Sequence, residues 1–134
     1  MTVRALIVED EILVALDLES ALMEIGIDVV GIAADRASAL RMAEDVDFAL
    51  VDVNLRDGQT GPSIGRALAM EHGVKVIFVT ANPSQLGEGI EGTMGVMCKP
   101  FSDESISATV AFLTANDAKE DVAPPRELKL FQLN

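Results

Sequence analysis

Four short segments, far apart in the chain, end in side chains that could act together. Leu6-Ile7-Val8 runs into Glu9-Asp10, and Leu50-Val51 runs into Asp52, with Asn54 just beyond. Ile77-Phe78-Val79 runs into Thr80-Ala81, and Val96-Met97-Cys98 runs into Lys99-Pro100-Phe101. Each polar group stands where an apolar run stops. Clustered carboxylates raise each other's pKa unless a cation neutralises them. Hard oxygen ligands with room for water suit Mg²⁺, which takes one or two carboxylates plus a phosphoryl oxygen. A carboxylate is also a nucleophile able to form an aspartyl phosphate. Lys99 and Thr80 would then hold phosphoryl oxygens, by charge and by hydrogen bond respectively.

For these groups to meet, the apolar runs must lie side by side. Val3–Val8, Asp28–Ile32, Phe48–Val53, Lys75–Val79 and Gly95–Cys98 read as strands. Between them the spacing is helical. Ile12, Ala15, Leu18, Leu22 and Ile25 mark one face of a first helix, and Gly26 stops it. Asp35 is placed to cap a second helix carrying Ala39, Leu40 and Ala43. Gly61-Pro62 opens a third, with Ile64, Ala67 and Leu68 facing inward. After Pro83 a fourth helix is expected, although Gly87, Gly89 and Gly92 erode it. Ser102 caps the last, with Asp103 and Glu104 in its first turn and Ile106, Val110 and Leu113 as its stripe.

The sum is β-α repeated five times. Continuous apolar strands belong in a parallel sheet covered on both faces, and right-handed crossovers give an open, doubly wound α/β domain. In such sheets ligands bind beyond the carboxyl ends of the strands, where all the groups above fall. The domain is expected to span residues 1–115. Residues 116–125 read as an acidic linker ending in Pro124-Pro125, and 126–134 as a tail with no separate output domain. Leu128 and Leu130 alternate like a strand, but Phe131 breaks the pattern, so the tail either docks or stays disordered.

Composition narrows the function. The 134 residues carry a formal charge of −12, with five Phe and neither Tyr nor Trp. Nucleic acid demands a basic footprint and an anionic membrane repels acid, so neither is an expected partner. Cys98 is the sole cysteine, which excludes an intramolecular disulfide and a zinc cluster. The amino terminus lacks the features of a signal peptide, and no apolar run is long enough to span a bilayer. A cytoplasmic location is expected.

Taken in register, LIVEDE, LVDVNL, VIFVTA and MCKPF resemble the signature segments of response-regulator receiver domains, over roughly Val3 to Ala115. The resemblance implies a flavodoxin-like (βα)5 fold with strand order 2-1-3-4-5. It also implies that Asp52 accepts a phosphoryl group from a sensor histidine kinase or a histidine phosphotransfer protein. By the same resemblance Asp10 ligates Mg²⁺ directly, Glu9 acts through water, and Asn54 lends its backbone carbonyl. Thr80 and Ala81 face the phosphoryl group, Lys99 pairs with it, and Pro100 follows a cis peptide bond. Asn54 and Asn82 occupy positions that tune phosphoryl hydrolysis. Such a protein is no enzyme beyond self-phosphorylation and autodephosphorylation. Its downstream partner is a protein, and it is a monomer or weak homodimer.

Two departures matter. Many receivers carry Tyr or Phe three residues before the lysine as a conformational reporter, and here that residue is Val96. Some alphaproteobacterial receivers also lack it and carry Phe-Ala-Thr-Gly-x-Tyr on the fourth strand. This chain shares Phe78 and Thr80 of that pattern but not its Gly or Tyr. It is similar as well to the receiver half of alphaproteobacterial stress regulators.

Plainer readings stand beside these. A strand-end carboxylate such as Glu9 or Asp10, taken singly, is as well explained as a helix cap. Asp57-Gly58 and Gly61 read as a turn that shapes the loop beside Asp52. His72 complements a helix dipole, Cys98 is expected to be a small core residue, and the methionines to fill the core. Val96 also leaves open a phosphorylation-independent interaction module. An enzyme acting on a small phosphorylated substrate is the remaining alternative.

Overall fold

Alternation of β-branched strands with amphipathic helices gives the expected layers. The computed structural model describes residues 2–115 and 122–132. In chain order the elements are β1 (Arg4–Val8), α1 (Ile12–Glu24), β2 (Asp28–Ala33), α2 (Arg36–Arg41), β3 (Phe48–Val51), α3 (Gly61–His72), β4 (Lys75–Thr80), β5 (Gly95–Cys98), α4 (Asp103–Thr114) and β6 (Leu128–Leu130). The sheet order is β2-β1-β3-β4-β5-β6, with the first five strands parallel.

Successive strand residues point to opposite faces, so each strand feeds two cores. Leu6, Val8, Ala49, Val51, Val76 and Phe78 meet Ala39 of α2 and Ile64 and Leu68 of α3 on one face. Ala5, Ile7, Phe48, Leu50, Ile77 and Met97 meet Ala15, Leu18 and Leu22 of α1 and Ile106, Val110 and Leu113 of α4 on the other. Asp35 caps α2 by accepting from the Ser38 N–H at 2.9 Å. Ser102 and Ser105 form a reciprocal capping box that fixes where α4 begins. No helix among the described residues is long and apolar enough to cross a membrane.

Several expectations change. A fourth α-helix is replaced by one 3₁₀ turn, Pro83–Leu86. Gly87, Gly89 and Gly92 all take positive φ there (57°, 132° and 84°), which a right-handed helix cannot absorb. The sheet has six strands rather than five, because Leu128–Leu130 pairs antiparallel with β5. Phe131 does not break that pattern. Leu128 joins the α1/α4 core, and the next inward position on the opposite face is Phe131, against the α2/α3 core. An edge strand of a two-faced sheet can bury residues on both sides, which a one-faced reading of the alternation misses.

The remaining changes concern burial. Ile12 and Ile25 are exposed, so α1 buries a narrower stripe of Ala15, Leu18, Ala21 and Leu22. Cys98 is exposed rather than a core residue, since it follows Met97 to the outer side of the last strand position. Met97 is buried, but Met23 and Met70 are exposed on helix surfaces. Residues 116–121 of the expected linker, and Leu133 of the tail, lie outside the described residues.

Candidate functional site

The strand register brings the polar groups together. Val8 of β1 pairs with Val51 of β3, so the next residues, Glu9 and Asp52, emerge side by side. The ladder continues past the strand ends: Asp52 N–H donates to Val8 O at 2.9 Å, and Glu9 N–H to Ala33 O at 2.8 Å. Thr80 of β4 pairs with Cys98 of β5, which places Lys99 next. Lys99 N–H donates to Thr80 O at 2.9 Å, and the Lys99–Pro100 peptide is cis. β1 and β3 flank the point where the sheet's winding reverses, and a crevice opens there beyond the carboxyl ends.

Carboxylate oxygens of Glu9, Asp10 and Asp52 lie within 4.8 Å of one another. Glu9 and Asp52 are buried, at 2% and 7% exposure, while Asp10 is exposed. Lys99 Nζ donates to Glu9 Oε1 at 2.6 Å and to Asp52 Oδ2 at 2.9 Å. The other oxygens are held as well: Asp52 Oδ1 accepts from the Val53 N–H at 2.7 Å and Glu9 Oε2 from the Glu11 N–H at 3.2 Å. Burial pushes the Glu9 carboxyl up to about 7; the Lys99 hydrogen bond opposes this and the charge of Asp52 adds to it. Burial also pulls the Lys99 ammonium down, but the hydrogen bonds and charges of Glu9 and Asp52 outweigh it, and the net shift is upward.

Three carboxylates against one ammonium leave a surplus of negative charge on hard oxygens with one side open to water. That donor set fits Mg²⁺, which keeps several waters. Removing Asp10 would leave only the two carboxylates that Lys99 already bridges. Thr80 is fully buried, and its Oγ1 accepts from the Asn82 N–H at 3.1 Å, leaving its own O–H for another acceptor. Asn54 lies two residues past Asp52, and its side-chain amide donates to Gln85 Oε1 at 2.9 Å. Ala81 is exposed and lines, with Val14, Asp17, Lys99, Pro100 and Phe101, a groove of about 400 Å³ leading to Lys99. Val96 is buried one strand over from Phe78. His72 ends α3 beside the amino end of β4, at the opposite edge of the sheet from the carboxylates.

Two residues around this site carry little sequence signal. Gly61 reads as a turn, yet it does more: a Cβ there would collide with the Asp52 carbonyl oxygen and lie 2.5 Å from Val53 Cα. Gln85 holds Asn54, and nothing in its neighbours marks it.

The site is thus an acidic, lysine-bridged cluster at the switch point of a doubly wound α/β domain. The chain belongs to the response regulator receiver domain family of two-component signalling, whose sequence pattern matches residues 5–111. It is 34% identical over 116 residues to the phyllosphere-induced regulator PhyR of Methylorubrum extorquens, covering 83% of this chain and 43% of that protein. The chain thus spans less than half the length of that curated relative. The solution structure of the PhyR receiver domain of Erythrobacter litoralis superposes with a TM-score of 0.78 at 29% identity, covering 91% of this chain and 97% of that one. The receiver domain of sensor histidine kinase PA1611 from Pseudomonas aeruginosa, with a magnesium ion coordinated in its active-site cleft, gives 0.67 at 26% identity, covering 84% and 95%.

Proposed function

We propose that this chain is a phosphorylation switch in which Asp52 accepts a phosphoryl group from a phosphohistidine donor. The observation that carries the reading is the Lys99 ammonium bridging Glu9 and Asp52, with Asp10 completing a three-carboxylate cluster. Mg²⁺, held by Glu9, Asp10, Asp52 and the Asn54 carbonyl, would supply charge neutralisation for the incoming phosphoryl oxygens. The Asp52 oxygen attacks phosphorus in line, the P–N bond to the donor imidazole breaks, and the bond pair leaves with that nitrogen. Lys99 gives up its contact with Asp52 Oδ2 and pairs with a phosphoryl oxygen. The free O–H of Thr80 donates to a second. No element among the described residues covers the groove, which suits a donor presented on a protein surface.

The donor is a sensor histidine kinase or a histidine phosphotransfer protein in the cytoplasm, and the state is read by protein contact. The only catalysis expected is self-phosphorylation and hydrolysis of the aspartyl phosphate, with Asn54 and Asn82 beside its path. The test is phosphotransfer from a phosphorylated histidine donor with Mg²⁺. Wild type takes up label that is lost at alkaline pH, and Asp52→Asn takes up none. Labelling of Asp52→Asn at the wild-type level would refute the assignment. A second reading, a phosphorylation-independent interaction module, draws on Val96 standing where a reporter aromatic is common. Backbone NMR spectra unchanged by Mg²⁺ and beryllofluoride would favour it.

A further inference from the structure

A parallel sheet that stopped at β5 would expose an edge of unpaired backbone groups. Here the chain's own tail covers that edge. Gly95, Val96 and Met97 pair with Leu130, Lys129 and Leu128 in antiparallel register. The Phe131 N–H extends the pairing by donating to Met94 O at 2.9 Å.

Two glycines fit this occupant closely. A Cβ on Gly95 would collide with the Lys129 carbonyl oxygen and lie 3.1 Å from Leu130 Cα. A Cβ on Gly89, which holds φ at +132°, would lie 2.7 Å from the Phe131 ring. That ring sits 6.3 Å from the Phe78 ring, tilted 44°. The fit is nonetheless shallow. The strand has three residues, short of the five or six typical of strands. Leu130 remains 37% exposed. A cavity of about 730 Å³ remains between the tail and the 3₁₀ segment, bordered by Pro83, Gly87, Val96, Leu130 and Phe131.

We propose that the β5 edge is a strand-accepting protein-interaction surface, and that Leu128–Phe131 is its resident intramolecular occupant. The segment that replaces it is an extended stretch of a partner protein with the tail's own chemistry. Two apolar residues alternate on one face, an aromatic ring enters beside Phe78 and Gly89, and a lysine at the position of Lys129 borders the same cleft as Glu88. Main-chain bonds supply the affinity and the ring supplies the register.

The edge is also connected to the acidic site. Asn54, two residues from Asp52, bonds Gln85 on the 3₁₀ turn, and Leu86 of that turn packs in the same core as Phe78, which Phe131 covers. Modification of Asp52 therefore biases the exchange of tail for partner. This coupling rests on the proposed phosphoryl acceptance; the surface itself does not.

The test uses the full chain carrying Leu128→Asp and Phe131→Asp, with a fluorescein-labelled peptide of residues 126–132 added in trans. The variant is expected to bind the peptide at least tenfold more tightly than wild type, whose edge is occupied. Equal binding to both, with the variant's amide spectrum otherwise native, would overturn the proposal. So would sedimentation showing wild type as a dimer joined by exchanged tails. In wild type, Mg²⁺ with beryllofluoride is expected to speed hydrogen exchange at the Phe131 amide at least tenfold. Shifted Asp52 neighbours with unchanged exchange at Phe131 overturn the coupling. Absence of any shift at Asp52 counts against phosphoryl acceptance, while the peptide result still decides the surface.

Discussion

Replacing Glu9 with Gln keeps the side chain's shape and one acceptor oxygen, which can serve Lys99 or the Glu11 N–H but not both, and removes a titratable proton. The buried Glu9 carboxyl is raised from 4.5 to about 7. Between those values the folded protein keeps a proton that the unfolded chain has lost. Stability from this group is therefore fully present below about pH 4.5 and is lost as pH rises through about 7. A displacement of that size corresponds to about 3 kcal/mol, at 1.4 kcal/mol per unit. Urea unfolding of wild type and Glu9→Gln, in chelator and across this range, gives the comparison. Their difference reports Glu9 together with its coupling to Asp52 and Lys99, because the remaining acidic groups titrate in both. Wild type is expected to lose about 3 kcal/mol relative to the variant between about pH 4.5 and pH 8. Saturating Mg²⁺ should shrink that loss, since a bound cation favours the carboxylate. A flat or rising difference curve would refute the reasoning, and would mean that Glu9 is solvated and the crevice is not a desolvated charge cluster.

Other perturbations probe the same construction. Lys99→Met leaves two buried carboxylates without their cation and is expected to cost about 3 kcal/mol in chelator at alkaline pH, and less at about pH 5 where Glu9 is protonated; urea melts at both pH values check it. Gly61→Ala forces a methyl group against the Asp52 carbonyl and should destabilise by at least about 1–3 kcal/mol. Calorimetric titration of that variant should also show weakened Mg²⁺ binding, and unchanged affinity would mean that the loop beside Asp52 tolerates displacement. Ser102→Ala removes half of the α4 capping box and should lower stability by about 1 kcal/mol in urea unfolding, without changing Mg²⁺ affinity.

Much of this was legible because the sheet has two periodicities that sequence reports well. Apolar runs bounded by polar residues located β1 to β5 within one or two residues, and the carboxyl-end rule then gathered Glu9, Asp10, Asp52, Thr80 and Lys99. Ser102 and Asp35 were readable because capping is local chemistry. What escaped depends on tertiary partners. Nothing local says that Gly61 backs onto Asp52, that Gln85 holds Asn54, or that the Leu128–Phe131 segment finds β5. The fourth helix failed for the opposite reason. Its glycines were visible, but the regular alternation of strands and helices argued for a full helix where local conformation permits only a turn. Cys98 was misplaced because a strand-end residue next to a buried methionine gives no sign of which way it points.

That cysteine offers the experimenter something. It is the only thiol in the sequence, it is exposed, and it lies across from Thr80 and beside Lys99. A maleimide dye or spin label can therefore be attached at one place without engineering the chain. The probe would sit at the junction of the carboxylate crevice and the strand that carries the tail, so one spectroscopic signal could follow both events in real time.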